Sequence, residues 1–180
     1  MNPHSPYLFD LPEPGPWQAA VLQRLKSAVR HDGFWDEYFH EKENPLGFSL
    51  HLAVLHEPYL GLILQGHKTV EARFSSGQQA PFECVAPGDM LLLKRAGAKI
   101  EGIALVRQCW CYRLHDGGID EIRAKFAAEL GIADPSFWTR HRSARFATLI
   151  QIEHSRAIRP IPCFKRDRRG WVVLWAAHRD

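Results

Sequence analysis

The hydrophobic period of this chain first shifts to two near Gly47, and that shift constrains its fold more than any other feature. Before it, apolar residues recur at helical spacing; after it, alternating runs appear, with helical runs between some of them. FSLHLAVL, KTVEARF, PGDMLLLK and RGWVVLWA read as strands, as do the longer IEGIALVRQCWCYRL (one strand, or two around a bend) and RFATLIQIEHSRAI. Single helices stand between them. EPYLGLILQG has proline at its start and glycine just past its end. GIDEIRAKFAAELG puts Ile122, Phe126 and Leu130 on one stripe before Gly131, and PSFWTRHR adds a turn or two. No strand-helix-strand rhythm repeats. The expected class is therefore α+β, a small mixed β-barrel with flanking helices.

Residues 1–46 differ. Pro3, Pro6, Pro12, Pro14 and Pro16 make an extended lead-in. PWQAAVLQRLKSAV follows as a helix, with Ala20, Val21, Leu25, Ala28 and Val29 at helical spacing. Gly33 breaks the pattern, and FWDEYFHEKEN reads as a second helix ended before Pro45. Its Phe34, Trp35, Tyr38 and Phe39 are there to dock. We read 1–46 as a helical extension and 47–180 as the main domain.

With 46% hydrophobic and 24% charged residues, a packed core is expected. No apolar run approaches the ~20 residues of a membrane helix, and MNPHSPYLFDLPEPGP lacks the features of a secretory leader, so the expected location is the cytoplasm. Cys84, Cys109, Cys111 and Cys163 lack the paired C-x-x-C spacing of a zinc site; neither a metal nor a cofactor is expected. Charge is uneven. Residues 1–135 hold 13 Lys and Arg against 17 Asp and Glu, a balance of −4, whereas 136–180 hold 10 against 3, a balance of +7. Such asymmetry fits either a solvated basic edge or a polyanion partner.

The stretch LQGHKTVEARF concentrates polar chemistry. On a strand, Thr69, Glu71 and Arg73 share one face at about 7 Å intervals, and Val70, Ala72 and Phe74 share the other. The polar row is either a solvated outer face or a binding surface. Lys68 breaks the alternation, being still in the turn after Gly66, where it is free to lie over a cleft. Tyr59 offers a ring for base stacking or a core residue. Lys94 and Arg95 form either a second wall of the same cleft or a charged strand end.

These pieces, in this order, resemble the ASCH domain of the PUA-like superfamily. HLAVLHEPYLGLILQGHKTVEARF, APGDMLLLK and KIEGIALV carry the resemblance, with Gly66, Lys68, Glu71 and Arg73 filling a G-x-K-x-x-E-x-R pattern. Gly88-Asp89, Gly102 and the closing LIQIEHSRAIRPIP and KRDRRGWVV are similar too, so the likeness spans Gly47 to the C-terminus. It implies a PUA-like barrel with a cleft lined by the motif, and a partner that is RNA or a nucleotide. Some family members are reported as ribonucleases. Others remove an acyl group from the exocyclic amine of cytidine with a lysine, a threonine and a glutamate. Lys68 matches that lysine, but Glu71 stands in the threonine's place, and the glutamate falls near Ala104.

The leading expectation is thus an RNA- or nucleotide-binding domain, with Lys68 and Arg73 on phosphate or a base edge. The basic connection Lys165, Arg166, Arg168 and Arg169 would track the backbone. The alternative is a metal-independent hydrolase of RNA or a modified nucleoside, with Lys68 and Glu71 catalytic. A third reading makes the N-terminal helices a protein-binding surface. The oligomeric state stays open.

Overall fold

The computed structural model describes residues 16–41, 47–116, 118–163 and 168–177. Its elements are α1 (Pro16–Val29), α2 (Gly33–Glu41), β1 (Leu50–Leu55), α3 (Tyr59–Leu64), β2 (Val70–Ser75), β3 (Met90–Arg95), β4 (Ile100–Arg113), α4 (Gly118–Leu130), α5 (Ser136–Arg140), β5 (Phe146–Ile161) and β6 (Trp171–Trp175). All six expected strands form, and IEGIALVRQCWCYRL makes one strand rather than two. The proline-rich lead-in and the end of the second helix past Glu41 lie outside the described residues.

The strands make one sheet in the order β2-β5-β4-β3-β1-β6. β1 and β3 run parallel, and the other pairs are antiparallel. The β4–β5 ladder shifts register three times, between Ile100 and Gly102, Ile103 and Leu105, and Val106 and Gln108. His154, at φ 49°, lies beside the second shift. Extra residues in one strand bend it and raise its twist, so the sheet curls into a half-barrel. Gly102 lies inside the bend, where an added Cβ would come within 2.6 Å of Leu64 and 3.0 Å of the Arg156 carbonyl.

The ladder does not close the circle. β2 and β6 are its two ends, and a side chain joins them. Arg73 on β2 donates through Nη2 to the Val54 carbonyl of β1 at 2.9 Å. Through Nη1 it donates to the Gly170 carbonyl, just before β6, at 3.1 Å. Its guanidinium lies 5.4 Å from the centre of the Trp171 ring.

Both faces of the sheet are covered. The stripe Ile122, Phe126 and Leu130 of α4 packs on Val70, Ala147 and Leu149 outside the curl. Inside it, Leu60 and Ile63 of α3 pack against Leu91, Leu93 and Ile150. The N-terminal helices cover the other face of β1 and β3: Val21, Leu25, Val29, Trp35 and Phe39 share a core with Leu50, Leu52, Met90 and Leu92. Polar contacts also hold them, from the Tyr38 hydroxyl to the Gly88 carbonyl and from Asp32 to Arg156. The Phe34 ring stacks on His154 with centroids 3.6 Å apart. The described part of the extension thus shares a core with the sheet, on the face opposite to α3.

Gly88-Asp89 serves this architecture. The Asp89 carboxylate, 1% exposed, accepts the Ser49 and Ala86 backbone N–H groups at 2.8 Å each and contacts His51 Nε2 at 3.1 Å. The Trp171 indole N–H donates to His51 Nδ1 at 3.3 Å, so Nε2 carries the proton toward Asp89. One buried carboxylate thereby links β1, β3 and β6. Among the described residues, no helix is long and apolar enough to cross a membrane.

Candidate functional site

The site is built where α3, the turn after it and β2 meet the end of α4. Gly66 takes φ +76°, which stops α3 and turns the chain. Thr69 is then pinned from both sides: its N–H donates to the Glu129 carbonyl and its carbonyl accepts the Ile152 N–H. Between these anchors Lys68 is driven inward.

Lys68 is 3% exposed, and its ammonium has three acceptors for its three N–H groups. It donates to the Val70 carbonyl at 2.7 Å and to the Leu130 carbonyl at 2.8 Å, and it lies 3.4 Å from Glu71 Oε2. Leu130 ends α4, so the cation satisfies a helix C-terminal carbonyl at the negative end of the dipole. Burial draws the Lys68 pKa below the usual lysine value, and the Glu71 charge opposes it. Lys68 does lie over the cleft as its misfit position implied. It does so as a braced cation whose donors are taken.

Glu71 is the group that Lys68 braces. Its other oxygen lies 2.9 Å from Arg73 Nε, an ion pair in which the N–H is poorly aligned with the oxygen. Glu71 and Arg73 therefore face the concave side along the open seam, not solvent. A carboxylate has about four lone-pair positions, so Glu71 keeps acceptor capacity after meeting both cations. The row expected from alternation is incomplete: Thr69 is exposed, its backbone already committed.

Above Glu71 opens a cleft of about 290 Å³, lined by Tyr59, Lys68, Glu71 and Arg73 together with His56, Phe74, Phe137 and His141. Tyr59 lies with its ring 5.4 Å from Lys68 Nζ. Burial raises its hydroxyl pKa, and Asp134 and Glu71 add to this, so it stays protonated as a donor. Phe137 of α5 and His141, its C-cap, pack with ring centroids 4.2 Å apart at a tilt of 34°. His141 Nδ1 meets the Phe137 carbonyl at 2.8 Å and must donate there, so in the neutral ring Nε2 is the acceptor. Sequence reasoning missed His56, Phe74, Phe137 and His141. The signal for the last two was the i, i+4 spacing in PSFWTRHR, which puts both on one face of a short helix.

The other expected residues stand elsewhere. Lys94 is buried and donates to the Arg95 carbonyl at 3.0 Å. Arg95 forms a fork with Glu101 at 2.8 Å and also pairs with Glu57. Neither lines the cleft, so both belong to the charged strand end. Ala104 is fully buried in the core under α3 and brings no side chain to the cleft. Arg168 and Arg169 are exposed within two residues of Gly170, whose carbonyl Arg73 holds. Lys165 and Arg166 lie outside the described residues.

Cys109 and Cys111 share a face of β4 and interact. The Cys109 thiol donates to Cys111, as do the Glu83 backbone N–H at 3.3 Å and the Thr148 hydroxyl, and together these lower the pKa of the exposed Cys111 to about 6 against partial desolvation. Cys109 is pushed up by the same pairing. Thiolate is the reactive form, so carbamidomethylation by iodoacetamide should rise through a midpoint near pH 6 at Cys111. Peptide mass mapping across pH 5–9 checks this; a midpoint above pH 8 would mean the donors do not act.

No protein-family model matches the chain, and no curated protein matches it. Among solved structures it is similar to ASCH from Zymomonas mobilis, at 15% identity and a TM-score of 0.54 over 69% of this chain and 86% of that one. A serine-to-alanine variant of that protein superposes with a TM-score of 0.55 at 15% identity, over 71% of this chain and 89% of that one. A tyrosine-to-phenylalanine variant gives 0.53, again at 15% identity, over 69% and 88%.

Proposed function

We propose that this chain, whose α+β half-barrel is the fold of the ASCH domain, binds RNA or a nucleotide by taking one base into the cleft. The carrying observation is Glu71, held by Lys68 and Arg73 at the base of a cleft walled by Tyr59 and Phe137. A cleft of about 290 Å³ is small for a drug-sized ligand and suits one base. Aromatic rings supply stacking, worth ~1–3 kcal/mol per base. A fixed carboxylate accepts from an exocyclic amine such as cytosine N4. Lys68 and Arg73 act here through Glu71, keeping it charged and oriented: Lys68 gives two N–H groups to carbonyls and turns the third to Glu71, and Arg73 is anchored on two carbonyls beside it. Phosphate contacts then fall to other cations.

Calorimetric titration with cytidine and uridine monophosphates tests the reading. The wild type should prefer the cytidine nucleotide about tenfold, the equivalent of ~1.4 kcal/mol. Glu71→Gln should remove the preference, since an amide serves either base. Phe137→Ala should weaken both nucleotides by roughly tenfold through lost stacking. Equal affinity for the two nucleotides in the wild type would sink the role given to Glu71.

One observation favours hydrolysis as a second reading: the His141 ring, held by its Nδ1 contact to the Phe137 carbonyl, lines the same cleft as Glu71. Lys68 is not the base, because its nitrogen has no lone pair to offer while three acceptors hold it as ammonium. Glu71 and His141 would be the proton-transfer pair. RNA or acylated cytidine turned over by the wild type and not by His141→Gln would support it.

A further inference from the structure

A second cleft, of about 510 Å³, lies across α5 from the first. The helix and the turn after it divide their side chains between the two: Phe137 and His141 line the first, Trp138 and Arg142 the second. Arg123 from α4 and Arg145 at the start of β5 join Arg142 there, with Asp116 and Asp120 on the α4 side. None of the three arginines forms an ion pair with another described residue. Arg140, on the same helix, is instead tied to Asp134 at 3.1 Å. Arg123 lies over the Trp138 ring at 5.8 Å, so it is held in place without being neutralised.

Taking the base-binding reading as its premise, we infer that the second cleft holds the ribose-phosphate of the neighbouring nucleotide, so that the ligand is a single-stranded RNA and not a free nucleotide. Arginine is the residue suited to phosphate, by its planar fork of donors. Asp116 and Asp120 carry acceptors for ribose hydroxyls, including the 2′-OH that separates RNA from DNA. The two clefts share α5 as a wall about 10 Å thick, and His141 and Arg142 are consecutive, one on each side. Arg142 and Arg145 are exposed, so changing them leaves the core intact.

The experiment compares pentacytidylate, its deoxy counterpart and cytidine monophosphate on the wild type and on Arg142→Gln/Arg145→Gln, over 50–300 mM salt. The wild type should bind the RNA pentamer at least tenfold tighter than the mononucleotide, and the DNA pentamer more weakly than the RNA. The double variant should lose most of the pentamer's advantage and keep the mononucleotide affinity. Its log K against log salt slope should fall by about 1.4, two contacts at ~0.7 each. A double variant with wild-type pentamer affinity and slope would overturn the second cleft and leave the base cleft standing. Arginine-dependent pentamer binding in a protein that takes no mononucleotide would instead overturn the base cleft.

Discussion

Lys68→Met should lower the unfolding free energy by about 3 kcal/mol, at the lower end of what breaking a buried pair costs. Methionine preserves the length and apolar stem of lysine but returns nothing to the Val70 and Leu130 carbonyls, which the ammonium now satisfies at 2.7 and 2.8 Å. It also leaves Glu71, 6% exposed, with Arg73 as its one cation. A carboxylate that loses a buried counter-charge either finds water or takes up a proton. For a chain of this length the loss corresponds to a fall in Tm of roughly 6–12 °C. Urea unfolding at pH 7 measures it. A change below about 1 kcal/mol would mean that the ammonium braces nothing, and Lys68 would return to the list of groups available for chemistry.

The second large effect lies far from the cleft. Trp35→Ala should cost about 4 kcal/mol, the middle of the range for deleting a buried aromatic. Trp35 is 1% exposed and meets Phe34 and Tyr38 edge-on at 5.2 and 5.6 Å. Its cluster reaches into the sheet through Leu50, Leu52 and Met90. The whole chain should therefore unfold earlier, in one transition seen alike by tryptophan fluorescence and far-ultraviolet circular dichroism. If α1 and α2 were a separate unit, the sheet's transition would stay where it is and a second, earlier one would appear.

Much of the architecture was legible because period and punctuation agreed. Gly66 and Gly131 end α3 and α4 where a left-handed residue was needed. Val70 against Glu71 told which residues share a face. What alternation could not tell was that the polar face is covered too. That depends on the curl of β4 and β5, which register shifts produce and composition does not announce. Lys68 was singled out correctly as a misfit, yet its partner at Leu130 lies 62 positions away. Nothing local predicts that a lysine will end another helix. Lys94 and Arg95 looked like a second wall for the same reason: which cation meets which carboxylate is a tertiary fact. Phe137 and His141 were readable as a helix face, but not as the far wall of a cleft whose near wall was some 70 residues earlier.

The seam has a consequence for recognition. β2 pairs with β5 on one side and has no strand on the other, where Arg73 reaches across to Val54. The cleft lies in that gap, with Val54 and Leu55 on one bank and Ala72 and Phe74 on the other. A barrel completed by hydrogen-bonded strands would have no such opening. Its width is therefore set by the reach of one guanidinium rather than by strand number. One bank is an unpaired strand edge, whose main-chain groups keep their spacing whatever side chains they carry. A guest in the gap would meet these main-chain groups as well as Glu71, so part of its affinity would survive changes in the side chains around it.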